Sequence, residues 1–277
     1  RRAKSTAPSQ SGRSVRWTMS FHSILAVTDL SQQGNRAVIR AAMLAAPRRA
    51  LLKIMYAPSD FRGSIDPDVE QDVKRLATEV HTRFNVLVKT VADTRGDLEG
   101  VAEEARWADM LVVGEHRKEP TGFFFRGKPI ERLQQLVPCP VLLARLEVFH
   151  RYRRILVAID STACSKKLLK LARSLDSDAL VEPFHVGDSS TATRNRGSPN
   201  DVARQAVIQQ QHSNADLIVV GQSRSSGFSE FLFGSVAHRV LRWSSCDVLL
   251  VPHDLRIDPT PGMPTIATPH LLAKPEQ

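Results

Sequence analysis

Two stretches of the chain, ADMLVVG at residues 108–114 and ADLIVVG at residues 215–221, have nearly the same sequence. Each is a short apolar run that ends at a glycine, which is the pattern of a strand buried on both faces of a parallel sheet. A second glycine follows each run at the same distance, at Gly127 and Gly234. Repetition of this kind indicates that the chain builds the same folding unit twice.

The repeat extends to both ends of the unit. The two glycines that end these runs are 107 residues apart, and so are Cys139 in CPVLLAR and Cys246 in CDVLLVP. Near the start of the unit, 131 residues separate Asp29 in ILAVTDLS from Asp160 in ILVAIDST. Since 131 exceeds 107 by 24, the second copy lacks a net 24 residues in its middle. We therefore expect it to have one helix and one edge strand fewer.

Short apolar runs alternate with amphipathic helical stretches in both copies, which predicts βαβ crossovers and a parallel sheet covered by helices on both faces. The expected fold class is α/β, with two tandem doubly wound domains. We place the first domain at residues 19–149 and the shortened second domain at residues 150–253. Residues 1–18 hold five basic residues and no acid, and are expected to be a disordered leader. Residues 254–277 are rich in proline and predict a disordered tail.

Composition narrows the class of protein. The chain has 277 residues, of which 42% are hydrophobic and 24% charged, and no apolar run approaches the roughly 20 residues of a membrane helix. Three cysteines without a CxxC pair predict neither a disulfide framework nor a metal site, and they suit a reducing, cytoplasmic setting. Of the net charge of +9, residues 1–18 contribute +5, so the folded part is only mildly basic. Nucleic-acid binding through the basic segment is therefore the least favoured function.

Candidate binding residues gather where an open parallel sheet places its ligands, beyond the carboxyl ends of the strands at the point where the winding reverses. An aspartate ends the first strand, a glycine ends the penultimate strand, and a glycine opens the next helix. A helix N-terminus and a bare glycine backbone both suit a phosphate, although each feature alone fits a turn or a cap equally well. The candidates are Asp29, Gly114, Gly127 and Lys128 in the first copy, and Asp160, Gly221, Gly234, Ser235 and Val236 in the second.

The run ADLIVVG at 215–221 with SSGFSEFLFGSVAHRVLRWSSCDVLLV at 225–251, and the start ILVAIDSTACSKKLLKLA at 155–172, resemble the universal stress protein family. Residues 20–253 are similar to a tandem member of it. The resemblance implies a five-stranded adenine-nucleotide-binding-like fold and a regulatory role in the stress response. One branch of the family binds ATP through a glycine, two residues, a second glycine, nine residues, and Gly-Ser or Gly-Thr. Another branch lacks this motif and does not bind ATP, while Asp29 and Asp160 match the family's base-facing aspartate.

Both copies depart from that motif at its second glycine, where Arg117 and Arg224 stand. The second copy keeps Gly-Ser at Gly234 and Ser235, whereas Lys128 replaces the hydroxyl residue in the first. An arginine at this position either crowds the path of the phosphates or offers them a charged fork.

Two functions therefore stay open. The first is binding of an adenine nucleotide, ATP or AMP, with Mg²⁺ only alongside ATP. The second is a scaffold of the same fold that binds no nucleotide and acts through protein contacts. The sequence contains no GxSxG nucleophile motif, no HExxH metalloprotease motif and no Walker A phosphate-binding loop, so no enzymatic activity is expected.

The final strands of the two copies, VLLAR and VLLVP, predict how the halves associate. An apolar edge strand tends to pair with another strand, so we expect these two to pair within one chain as an internal pseudo-dimer. A homodimer of such chains stays an alternative. The sequence does not specify a protein partner and gives no reason to expect a membrane.

Overall fold

The computed structural model describes residues 21–58, 67–91, 97–114, 133, 136–147, 150–159, 164–185, 199–221, 232–252 and 255. Strands and helices alternate through this part of the chain. The strands are β1 (Ser23–Thr28), β2 (Leu51–Tyr56), β3 (Val88–Val91), β4 (Met110–Gly114), β5 (Val141–Ala144), β6 (Arg154–Ile159), β7 (Leu180–His185), β8 (Leu217–Gly221) and β9 (Asp247–Val251). The helices are α1 (Gln32–Ala45), α2 (Pro67–Phe84), α3 (Leu98–Ala105), α4 (Cys164–Leu175), α5 (Pro199–Ser213) and α6 (Leu232–Trp243).

All nine strands form one sheet in the order β3-β2-β1-β4-β5-β9-β8-β6-β7. Pairing is parallel within each half, and the single antiparallel pair, β5 with β9, joins the halves. Leu142 lies opposite Leu249, its own counterpart 107 residues later, so a pseudo-twofold axis passes through this pair. The two final strands thus pair within the chain, as the apolar runs predicted.

Helices cover both faces of the sheet and bury two apolar layers. One layer packs α1, α2 and α4 against the sheet, and the other packs α3, α5 and α6 against the opposite face. Each layer contains residues of both halves, such as Ile24 with Ile155 in one and Leu25 with Leu156 in the other. The two copies therefore share their cores instead of folding around separate ones.

Among the described residues, the second half has four strands where the first has five, and a counterpart of β3, missing from that part of the chain, would lie at the edge beyond β7. In β2, the N–H groups of Leu51 and Ala57 donate toward β1, whereas that of Leu52 donates to Leu87 O on the β3 side. Alternation along the strand therefore turns the N–H of Ile54 toward β3.

The pairing registers with β1 and β6 make Pro183 of β7 the counterpart of Ile54. Proline has no N–H, so the edge of β7 lacks a donor where the missing strand would have paired. Proline at an outward-facing position is a common protection of edge strands against unwanted pairing. The shortened second half therefore carries a residue that suits its new edge.

The repeated Ala-Asp before β4 and β8 makes the same contacts in both halves. Asp109 Oδ2 accepts hydrogen bonds from the N–H groups of His22 and Ser23, at 2.6 and 2.9 Å. Asp216 Oδ2 accepts from those of Arg153 and Arg154, at 2.7 and 3.0 Å. Each aspartate thus ties the start of its strand to the start of the neighbouring first strand, which fixes the register of the parallel pair.

Replacing Asp216 with alanine removes one acceptor from two backbone N–H groups and should lower the free energy of unfolding by about 1–2 kcal/mol. Asp109→Ala should cost a similar amount, because its contacts are equivalent. Urea unfolding measures both changes. The matched control is Asp72→Ala, which breaks an exposed ion pair with Arg75 and should cost no more than about 0.5 kcal/mol. Equal losses in all three variants would contradict this role.

Candidate functional site

The strand order contains two points where the winding reverses, one between β1 and β4 and one between β6 and β8. Crevices at such points are the usual ligand sites of open parallel sheets. Gly114 ends β4, and Asp29 follows β1 by one residue, while the pairing of Val27 with Val113 brings these two strand ends side by side. Gly221 ends β8 in the same way. The sequence-predicted aspartate and glycine of the first copy therefore meet at one crevice.

The chain between β1 and α1 folds into a tight turn. Leu30 has a φ of 63°, and its N–H donates to Thr28 Oγ1 at 2.9 Å. The N–H of Ser31 donates to Asp29 Oδ1 at 3.0 Å, and Ser31 Oγ accepts from the N–H of Gly34 at 3.0 Å. Ser31 thus caps α1, and Asp29 orients this capping residue by accepting its N–H. Hydrogen bonds within the turn occupy the amides of Leu30, Ser31 and Gly34.

Close packing explains why glycine stands at the end of β4. A Cβ atom on Gly114 would lie 2.4 Å from Gln33 O and 3.1 Å from Gly34 N, which are backbone atoms of the first turn of α1. A Cβ atom on Gly34 would in turn lie 2.6 Å from Asp29 Oδ1 and 2.7 Å from Thr28 Oγ1. The crevice of the first copy is thus narrow, with the start of α1 lying directly on the strand ends.

The second copy is looser at the equivalent glycine. The three atoms nearest to a Cβ atom on Gly221 would all belong to the Leu168 side chain, with Cδ1 at 2.7 Å, and the end of a leucine side chain can move. Helix α6 begins at Leu232, two residues before Gly234, which the sequence predicted to open it. Gly234 and Ser235 therefore lie within its first turn. Val236 is half-buried and packs against the second apolar layer.

The remaining predicted residues lie outside the described part of the chain. This holds for Asp160 and Arg224 in the second copy and for Arg117, Gly127 and Lys128 in the first.

Sequence reasoning missed a buried polar cluster between the halves, because Arg40 lies within an otherwise apolar helical stretch and its partner is far away in the chain. Arg40 of α1 is 2% exposed, and Asp247 of β9 is fully buried. Arg40 Nε lies 3.0 Å from Asp247 Oδ2 as an ion pair, without the geometry of a hydrogen bond. The Tyr152 hydroxyl donates to the same carboxylate oxygen at 2.8 Å. A single arginine in an apolar stripe was the signal that could have indicated such a partner.

Burial lowers the reactivity of the two described thiols. It raises the pKa of Cys139 and that of Cys246 to about 12 each, so neither forms a thiolate near neutral pH. Among the described residues, no helix is both long and apolar enough to cross a lipid bilayer. In the same part of the chain, no three His, Cys, Asp or Glu side chains come together as metal ligands.

Comparisons with known proteins agree with this architecture. A family model described as the universal stress protein family matches residues 20–145 and 185–252. A protein of unknown function from Pseudomonas aeruginosa is 18% identical, with a TM-score of 0.64 over 84% of this chain and 93% of its own. A universal stress protein from Archaeoglobus fulgidus is 13% identical, with a TM-score of 0.59 over 83% of this chain and 98% of its own. Identities this low support a shared fold. No curated protein matches the chain.

The two strand-ending glycines should respond differently to the same substitution. Gly114→Ala places a methyl group against backbone atoms of α1 and should cost about 1–3 kcal/mol of the free energy of unfolding. Gly221→Ala meets a movable leucine side chain and should cost less than about 1 kcal/mol. Urea unfolding of both variants makes the comparison, with each serving as the control of the other. A larger loss for Gly221→Ala would show that the crevices are not packed as described.

Proposed function

We propose that this chain, which belongs to the universal stress protein family, binds an adenine nucleotide at the C-terminal edge of its sheet and acts as a stress-response regulator. The nucleotide is ATP or AMP, and the site is the crevice at the switch point of one or both halves. The proposal assigns binding and no catalysis to these residues.

The observation that carries the proposal is the meeting of Asp29 and Gly114 at the switch point between β1 and β4. The second half repeats the arrangement in sequence and topology, since Gly221 ends β8 and Asp160 directly follows β6. An aspartate beside a crevice accepts hydrogen bonds from a ribose or a base, and a nearby helix start favours phosphate. These are the two chemical requirements of a nucleotide site.

The second half has a described helix start that suits a phosphate. Its α6 places Gly234 and Ser235 in the first turn of a twelve-residue helix, where backbone N–H groups and the positive end of the helix dipole favour an anion. In the first half, the offset of 107 residues places the counterpart of this helix start at Gly127, outside the described residues. The turn before α1 offers no substitute there, because it already occupies the amides of Leu30, Ser31 and Gly34. We therefore place the phosphates beside α6, with Asp160 toward the base or ribose.

A scaffold without a nucleotide is the second candidate, and the same turn favours it. If the turn of the second half also occupies its own backbone N–H groups, as the turn of the first half does, those groups cannot donate to a phosphate. Protein contacts would carry the function in that case.

Mass spectrometry of the natively purified full chain should detect ATP or AMP released on denaturation. Added nucleotide should also raise the free energy of unfolding, by about 2.7 kcal/mol when its concentration is a hundredfold above Kd, and this gain appears as a higher Tm. Asp160→Asn should weaken binding by about tenfold, or 1.4 kcal/mol, and Asp29→Asn should weaken it less. The control is Asp72→Asn on the exposed surface of α2, which should change nothing.

Two results would contradict the proposal. The absence of both released nucleotide and stabilisation at millimolar ATP and AMP would favour the scaffold. An unchanged affinity in both the Asp29 and the Asp160 variants, with binding still present, would place the nucleotide elsewhere.

A further inference from the structure

The contact between the halves is symmetric in backbone but not in chemistry. On one side of the pseudo-twofold axis lie Arg40 and Arg145 from the first half, with Tyr152 and Asp247 from the second. The cluster is tightly connected. Asp247 Oδ1 accepts from the backbone N–H groups of Arg145 and Leu146 at 2.7 and 2.9 Å, and the Arg40 guanidinium lies 4.3 Å from the Tyr152 ring centre.

Arg40 and Arg145 also reach carbonyl groups of the other half. Arg40 Nη1 donates to His150 O at 3.0 Å, and Arg145 Nη1 donates to Ser244 O at 2.8 Å. Both arginines thus cross from the first half to the second. The buried carboxylate of Asp247 obtains its cation and two of its donors from the first half.

The equivalent positions on the other side of the axis are apolar. By the repeat offsets of 131 and 107 residues, Leu171 corresponds to Arg40, Phe21 to Tyr152, Pro140 to Asp247, and Pro252 to Arg145. Leu171, Phe21 and Pro140 are buried, and the first two belong to the same apolar layer. At these four positions, one side of the axis is therefore a polar cluster and the other side is its apolar copy. Arg48 of the first half lies beside the apolar copy, over the Phe21 ring, and donates to Ser174 O and Leu175 O.

We propose that this asymmetry makes each half select the other half as its partner and reject a second copy of itself. In a pairing of two first halves from different chains, Arg40 would face Pro140 and Phe21 and would be buried without a carboxylate. In a pairing of two second halves, Asp247 would face Leu171, and Pro252 has no N–H to replace that of Arg145. Removing one partner of a buried ion pair shifts the equilibrium by more than about a hundredfold.

In this proposal the correct pairing is selected because each alternative pairing would bury an unpaired charge. Apolar final strands such as β5 and β9 would otherwise pair with like strands of other chains, because the backbone pattern permits it. Only the pairing of a first half with a second half gives the Asp247 carboxylate the Arg40 guanidinium and the N–H groups of Arg145 and Leu146. The chain is thereby directed to a closed internal pair.

A disulfide trap tests this in the full chain. Leu142 lies on the pseudo-twofold axis, so only a pairing of two first halves would bring two copies of residue 142 face to face. Leu142→Cys alone should give no disulfide between chains under mild oxidation. Adding Arg40→Leu makes the first half resemble the apolar copy and should raise the yield of that disulfide by at least about tenfold.

Matched controls isolate the buried pair. Arg36→Leu with Leu142→Cys removes an arginine of the same helix whose ion pair with Glu147 is exposed, and it should give no disulfide between chains. The native Cys139 and Cys246 are buried, and the unsubstituted chain measures their background. Circular dichroism confirms that each variant is folded.

If the Arg40→Leu chain does not fold, Asp247→Asn with Leu249→Cys tests the second half in the same way. It should raise a disulfide between two second halves over Leu249→Cys alone. Equal yields with and without Arg40→Leu, or with and without Asp247→Asn, would overturn the proposal. A large yield from Leu142→Cys in the otherwise native chain would overturn it as well.

Discussion

The antiparallel pairing of β5 with β9 is the constraint on which the rest of the structure depends. It joins two parallel half-sheets into one sheet and covers the apolar edge that each half would otherwise expose. Leu142 and Leu249 meet on its axis and are at most 1% exposed. Because both apolar layers run across this pair, neither half has a core of its own.

The same pairing fixes where ligands can bind. Strands within each half run in one direction and the two halves run in opposite directions, so their C-terminal edges face opposite ends of the sheet. The crevice at β1 and β4 and the crevice at β6 and β8 are therefore separate sites that cannot share one ligand. The two switch points also differ in packing, since Gly114 lies against backbone atoms of α1 and Gly221 against the Leu168 side chain.

Much of this fold follows from the sequence, because strands buried on both faces read as continuous apolar runs and the chain repeats them. The deletion of 24 residues predicted one edge strand fewer in the second half, and the described residues of that half contain four strands against five in the first. The ion pair of Arg40 and Asp247 could not be predicted, because the two residues are far apart in the chain and Arg40 lies within an apolar stripe. Gly114 was predicted as a candidate for ligand approach, and only coordinates reveal its contact with Gln33.

Native-state hydrogen exchange of the full chain tests the central claim most directly, because it reports how much of the molecule must open to expose each amide. If one sheet spans both halves, the amides of β5 and β9 should exchange only through global unfolding, with the slowest rates in the chain. They should match the central strands β4 and β8. Exchange of β5 and β9 that is much faster than that of β1 and β6 would contradict the account, since it would mean that the two halves separate while each remains folded.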